Sequence, residues 1–249
     1  MHSFARHQHR ETGDTTATKT HGLILDQGWR YDLTEWCCDT FLLRGMVRKL
    51  RQRTACLADL QPGEAVLDVG CGTGTLALAV QQHLGVTGRV VGIDPSPRQI
   101  ARARAKAARR HMPNEFQIGV IEQIAFPDQT FDVVLSTLMM HHLPASLKRQ
   151  GLAEIARVLK PGGRLIIADF TRPERRRGQR GRLGAGGSNM GDLAALVQDA
   201  GFTEVETEEM RFPRPRFPAL PGAGFVRMHP GGAGFARARK DDHPVQRRT

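Results

Sequence analysis

The sequence predicts an α/β fold: a doubly wound, mostly parallel sheet with helices on both faces. Three observations predict it. Short apolar runs alternate with helical stretches of roughly 10–15 residues, the grammar of βαβ units. The first run empties into a glycine-rich bend, Gly70-Cys71-Gly72-Thr73-Gly74. Runs such as Leu165-Ile166-Ile167-Ala168 are continuously apolar, as a strand covered on both faces must be.

The elements follow in order. Residues 1–20 show no hydrophobic periodicity and read as a disordered arm, with His2, His7 and His9 too loosely spaced to suggest a ligand set. Between Asp26 and Leu60, apolar residues recur at helical spacing (Leu42, Met46, Leu50, Leu57, Leu60). Residues 21–60 therefore read as a lid of two amphipathic helices, closed by Gln61-Pro62-Gly63. A nucleotide-binding type of domain is expected over 61–211. Its strands are Ala65–Val69, Gly88–Asp94, Glu115–Val120, Phe131–Ser136 and Arg164–Phe170. Helices are expected over Leu76–Leu84, from Pro97 to about His111, and over Ser146–Leu159. Ser96-Pro97 supplies an N-cap and a first-turn proline, and Lys160-Pro161-Gly162-Gly163 a stop.

Residues 171–189 are rich in arginine and glycine and read as a loop. Met190–Ala200 is a helix closed by Gly201, and Thr203–Met210 a strand. The tail, 212–249, is rich in proline, glycine and arginine. It holds an echo, in which Gly222-Ala223-Gly224-Phe225-Val226-Arg227 resembles Gly232-Ala233-Gly234-Phe235-Ala236-Arg237. One copy is expected to supply the last strand, and the sequence does not choose between them.

Bulk properties narrow the class. A 249-residue chain with 40% apolar residues is globular rather than mostly disordered. No apolar run approaches the roughly 18 residues needed to cross a bilayer, and the first residues lack the apolar stretch of a secretory signal. The cysteines, Cys37, Cys38, Cys56 and Cys71, form no CxxC pair. They read as plain thiols of a reducing, cytoplasmic setting, with no structural metal. The net charge of +11 is uneven, since residues 171–249 hold 15 basic and 9 acidic side chains. Such an excess suits either a solvated surface or an anionic partner such as nucleic acid. The arginines are not interleaved with aromatic residues as an RNA platform requires, so the solvated surface is preferred. Oligomeric state is not encoded legibly.

The chemistry concentrates at Val66-Leu67-Asp68-Val69-Gly70-Cys71-Gly72-Thr73-Gly74. Glycines let a strand turn sharply into a helix and let a ligand touch backbone. A phosphate loop would need GxxxxGK[ST], and no lysine follows these glycines. A dinucleotide fingerprint would need GxGxxG, but position 75 is Thr and the third glycine comes one residue early. A carboxylate two positions before the first glycine, Asp68, suits an ammonium and not a pyrophosphate. Asp94, ending the second strand, is placed to accept both hydroxyls of a ribose. An ammonium, a ribose and no phosphate describe S-adenosylmethionine (SAM).

The stretch from Pro62 to Phe170 resembles the class I SAM-dependent methyltransferase family, in the style of the methyltransferase-11 domain and the ubiquinone/menaquinone-biosynthesis C-methyltransferases. The pieces that carry the resemblance are VLDVGCGTG, GIDPSP, AFPDQTFDVV (Ala125–Val134), MMHHLP (Met139–Pro144) and EIARVLKPGGRLIIADF. The resemblance implies a Rossmann-like seven-stranded sheet with an antiparallel last strand, and SAM as co-substrate. It implies that Gly70, Cys71, Gly72 and Gly74 pack under the methionine moiety and that Asp94 and Pro95 border the ribose. Val120, Ile121, Glu122 and Ser136, after the third and fourth strands, border the rest of the cofactor. Where the family carries a GDAE-like segment, this chain has Gly119-Val120-Ile121-Glu122. Val120 cannot accept from the adenine amine, so adenine recognition is expected to be organised differently.

His141 and His142 follow the fourth strand, where methyl donor and acceptor should meet. They read either as a base for the acceptor or as packing residues. Tyr31, the only tyrosine, reads as a lid residue over the cofactor, while Trp29 and Trp36 read as packing anchors. The arginines of Arg172–Arg182 lie beyond the fifth strand, facing an anionic acceptor or solvent. Arsenic methylation, a chemistry of this family that uses several cysteines, is disfavoured because only Cys71 is near the bend. The expected acceptor is a small molecule. An RNA or protein acceptor, or a binding module without turnover, is the alternative.

Overall fold

The computed structural model describes residues 46–170, 190–210 and 233–240. Helix α1 (Met46–Leu57) leads into β1 (Ala65–Val69), α2 (Thr75–Leu84), β2 (Arg89–Asp94), α3 (Pro97–Arg109) and β3 (Glu115–Ile118). Then come β4 (Phe131–Thr137), a 3-10 turn (Met140–His142), α4 (Ala145–Val158), β5 (Leu159–Phe170), α5 (Met190–Asp199), β6 (Phe202–Met210) and β7 (Ala233–Lys240). The expected arm, most of the lid with Tyr31, the 171–189 loop and the first copy of the echo lie outside the described residues. The second copy is β7.

The strands form one sheet in the order β3-β2-β1-β4-β5-β7-β6. Neighbours from β3 to β5 are parallel, and β7 runs antiparallel to both β5 and β6. The order reverses direction between β1 and β4, and the carboxyl ends of β1 and β2 open beside that point. Such a switch is where an open α/β sheet leaves room for a ligand.

Period-two alternation splits each strand between two cores. Leu67, Val91, Val134, Leu165 and Ile167 face α4 and α5. Val66, Val90, Val133, Leu135 and Ile166 face α2 and α3. Both sets are fully buried, which is why these strands read as unbroken apolar runs. Helix α1 buries Val47, Leu50 and Thr54, an i, i+3, i+7 stripe, and packs on α2 and β5. Arg164 of β5 ties the link before β1 to the sheet. It donates to both Glu64 oxygens at 2.7 Å and to the Ala58 carbonyl at 2.9 Å.

Three boundaries differ from expectation in ways that matter. Strand β3 stops at Ile118, so Val120 lies beyond it, in an isolated bridge to Gln123. Strand β4 continues through Thr137, one residue past Ser136. Leu159–Gly163, expected as a helix end and a stop, belongs to β5, whose pairing with β4 shifts between Phe131 and Val133. None of the helices among the described residues is long and apolar enough to cross a membrane.

Candidate active site

The bend after β1 is held largely by groups of β2 and α3. The N–H groups of Gly70 and Cys71 both donate to the Ile93 carbonyl, at 2.9 and 3.0 Å. The Gly72 N–H donates to Asp94 Oδ2 at 3.0 Å, and Ser96 N–H donates to Asp94 Oδ1 at 2.9 Å. Asp94 thus clamps the bend to the start of α3. Each of its oxygens keeps a second acceptor position. Burial pushes the Asp94 carboxyl above its usual pKa, opposed by the two N–H donors.

Gly70 and Gly72 both have positive φ, where a side chain is strained. Their surroundings differ. A Cβ on Gly70 would fall 2.4 Å from Met139 Cγ, while one on Gly72 would meet nothing within 4 Å. Gly70 therefore lets the β4 loop lie over the bend.

A cleft opens at this edge. Asp68, Gly70, Cys71, Gly72, Asp94, Pro95, Val120, Ile121, Glu122 and His142 all line it. Asp68 and Asp94, chosen from the sequence as partners around one ligand, share this cavity. Asp68 is 1% exposed, and its Oδ2 has no hydrogen-bond partner. Desolvation raises its pKa to about 7, with the charge of Arg51 and a backbone donor at Ala77 pulling down. A buried carboxylate oxygen without a partner is costly unless a ligand supplies the donor.

Three expected residues do not line the cleft. Gly74 instead lets α2 approach α3 closely, since a Cβ there would meet Phe116 Cζ at 2.7 Å and Ala103 Cβ at 3.0 Å. Ser136 is fully buried on the wrong face of β4. Thr137, one residue on, lines the cleft with a buried, unpartnered hydroxyl. A one-residue step along a strand exchanges its faces. His141 is not among the residues that line the cleft. The side chain of Cys71 sits in the core near Gly92 and Phe116, and its pKa is raised well above the thiol's ordinary value by burial. Among the described residues no group of three or more His, Cys, Asp or Glu side chains could hold a metal.

The two histidines have different surroundings. His141 Nδ1–H donates to Asp169 Oδ1 at 2.5 Å, and the His141 backbone N–H donates to Asp169 Oδ2 at 2.7 Å. Asp169 is fully buried at the carboxyl end of β5. The His142 ring packs on that of His141 with centroids 3.8 Å apart and faces the cleft. Its pKa falls to about 4, chiefly through desolvation and then the neighbouring His141, with Asp169 opposing.

Sequence reasoning missed four residues. Asp169 carried a readable signal, an acid at the end of a parallel strand like Asp68 and Asp94. Thr137 was lost to the face error. Arg51 reaches the cleft from α1, and Lys106 reaches the bend from α3, donating to Thr73 Oγ1 at 2.6 Å. The absence of a lysine after the glycines is real in sequence, but one arrives through space, and it does not line the cleft. Neither could be seen from spacing.

Residues 66–163 match a family described as a methyltransferase domain. The chain is 34% identical over 156 residues to the ubiquinone/menaquinone biosynthesis C-methyltransferase UbiE of Geobacter sulfurreducens, covering 62% of this chain and 59% of that one. This segment is similar to the methyltransferase domains of class I SAM-dependent enzymes. An arsenite methyltransferase of Halobacterium salinarum is 34% identical over 161 residues, 60% of this chain and 40% of that protein. The chain thus spans only about two fifths to three fifths of the curated relatives it matches. Among solved structures, the [4+2]-cyclase SpnF superposes with a TM-score of 0.64 at 24% identity, covering 78% of this chain and 82% of that one. At that identity the likeness is one of fold.

Proposed function

We propose that this chain transfers a methyl group from SAM to a small-molecule acceptor. The observation that carries the reading is Asp68, whose unpartnered, buried oxygen stands in a cleft it shares with Asp94. The ligand that satisfies it is a cation. Among the described residues the cleft wall carries the carboxylates of Asp68, Asp94 and Glu122, which suit a sulfonium nucleoside with an ammonium and repel a diphosphate.

In this reading Asp68 accepts from the ammonium and Asp94 uses its remaining acceptor positions on the ribose hydroxyls. Ile93, Val120 and Ile121 form an apolar slot for adenine, lined along the same wall. Glu122, whose Oε1 is buried without a partner, accepts from the adenine amine in place of the missing acid at 120.

When bound, SAM supplies a methyl carbon already activated by its sulfonium. The protein's task is then alignment and exclusion of water. His142 is neutral at pH 7 because its pKa lies near 4, so it can accept a hydrogen bond or proton from an acceptor O–H or N–H. Asp169 fixes His141 with Nδ1 protonated, and His141 in turn fixes the ring of His142.

The test is release of S-adenosylhomocysteine (SAH) against quinone precursors, phenols, small amines and tRNA. Turnover with a small acceptor supports the reading. Turnover with tRNA alone, or none with an acceptor of any class, overturns it.

A further inference from the structure

We propose that helix α3 is the face with which this chain docks on an anionic lipid surface. The proposal is independent of what the cleft binds.

The two faces of the sheet carry different charge. Helices α1, α2 and α3 lie together on one face, over a core that includes Ala55, Leu78 and Ala103. Four Lys or Arg side chains stand on α1 and five on α3, and none of the three helices carries an Asp or Glu. On the other face, α4 and α5 balance Lys148, Arg149 and Arg157 against Glu154, Asp192 and Asp199.

Within the basic layer, α3 holds the patch. On α1, Arg51 lines the cleft and Arg53 is bound to Glu208 of β6. Helix α3 carries Arg98, Arg102, Arg104, Lys106 and Arg109, and Arg110 follows directly. From Val69 to Asn114 the one acidic residue is Asp94, whose oxygens accept from the N–H groups of Gly72 and Ser96. Glu115, the next acid along the chain, is occupied by Arg89 at 2.8 and 2.9 Å. Arg98, Arg104, Arg109 and Arg110 are exposed. A helix so composed projects a positive field, which suits a polyanion.

The apolar neighbours choose between polyanions. Val86 and Ile118 are large apolar side chains that stand exposed, at 94% and 52%. Ile118 ends β3, on which α3 packs. Val86 lies between α2 and β2, just before Arg89, whose ion pair with Glu115 joins the starts of β2 and β3, the end of the sheet where α3 finishes. Aliphatic side chains beside arginines suit insertion among lipid headgroups. A nucleic-acid surface would set stacking aromatics among its arginines, and the aromatic ring of this segment, Phe116, is buried. Gln99, in the first turn of α3, lines the cleft, so docking through α3 sets the cleft beside the lipid.

Vesicle co-sedimentation of the intact chain tests this, with vesicles of phosphatidylcholine alone and of phosphatidylcholine containing one third phosphatidylglycerol. Binding should require the anionic lipid and weaken as salt rises. Arg109→Gln/Arg110→Gln should lower the partition coefficient by about 10–30-fold, the share of two basic side chains at such a surface. Lys148→Gln/Arg149→Gln removes the same charge from the other face and should lower it far less. Val86→Ser should weaken binding several-fold at every salt concentration. If the first double variant unfolds on circular dichroism, Arg98→Gln repeats the reading from the other end of the helix. Equal losses in the two double variants, equal binding to both kinds of vesicle, or binding to neither overturns the proposal. So does tighter binding to tRNA than to the anionic vesicles at physiological ionic strength with the same dependence on Arg109 and Arg110, which assigns the patch to nucleic acid.

Discussion

His141 and Asp169 meet twice: the imidazole donates to one carboxylate oxygen and the backbone N–H of the same residue to the other, at 2.5 and 2.7 Å. Ring and main chain are thus fixed by one buried acid. The 3-10 turn that carries both histidines is pinned to the end of β5.

Asp169→Asn should release that turn. If His142 takes a proton from the acceptor, kcat falls by roughly 10²-fold or more, the lower end for general base catalysis, while SAH affinity is retained. His142→Ala should show the same split. Steady-state kinetics beside calorimetry separates the cases, and a KM effect alone would assign both histidines to packing.

Asp68 links binding to pH. Its pKa is raised to about 7 by burial, and only the ionised form accepts a ligand ammonium fully. SAH affinity should therefore rise from pH 5 through 7 and level off above, and Asp68→Asn should flatten that curve. The folded pKa lies above the ordinary carboxylate value, so this group costs the protein stability as pH rises from about 4 through 7. Asp68→Asn should consequently raise the melting temperature of the unliganded protein at pH 8 more than at pH 5.

Gly70→Ala and Gly72→Ala share a backbone penalty of roughly 1–2 kcal/mol for a left-handed residue with a Cβ. Only the first also collides with Met139. Urea denaturation should show Gly70→Ala as the more destabilised, and equal losses would mean that Met139 moves aside freely.

Glu122→Gln should relax recognition of the adenine edge. The unmodified protein should bind SAH better than S-inosylhomocysteine, in which the amine is replaced by a carbonyl, by about 10-fold for one hydrogen bond to a charged acceptor. The glutamine, which can donate as well as accept, should narrow that gap. An unchanged preference would move adenine reading to backbone groups near Ile121.

Arg164→Met should destabilise by about 3 kcal/mol, because it leaves the half-enclosed Glu64 carboxylate without its partner. Equilibrium unfolding measures it, and no role in ligand binding is expected.

Much of the fold was legible because alternation and glycine placement are local. Asp68 and Asp94 were findable because a carboxyl end of a parallel strand opens on a ligand edge whatever the rest of the chain does. Ser136 was misread for an equally local reason: the strand's end was placed one residue early, and period two turned the error into the opposite face. Gly74 was read for contact with a ligand, but its space is filled by Phe116 and Ala103, residues from two other elements.

The sequence by itself determined the alternating elements, the bend and its flanking acids, since these depend on residues adjacent in the chain. Only the tertiary structure decided that Arg51 and Lys106 approach the bend, that Asp169 holds His141, and which of two neighbouring histidines faces the cleft. Those choices depend on how helices pack across the sheet, and packing joins side chains far apart in the chain, as with Arg53 and Glu208, 155 positions apart, where no periodicity carries information.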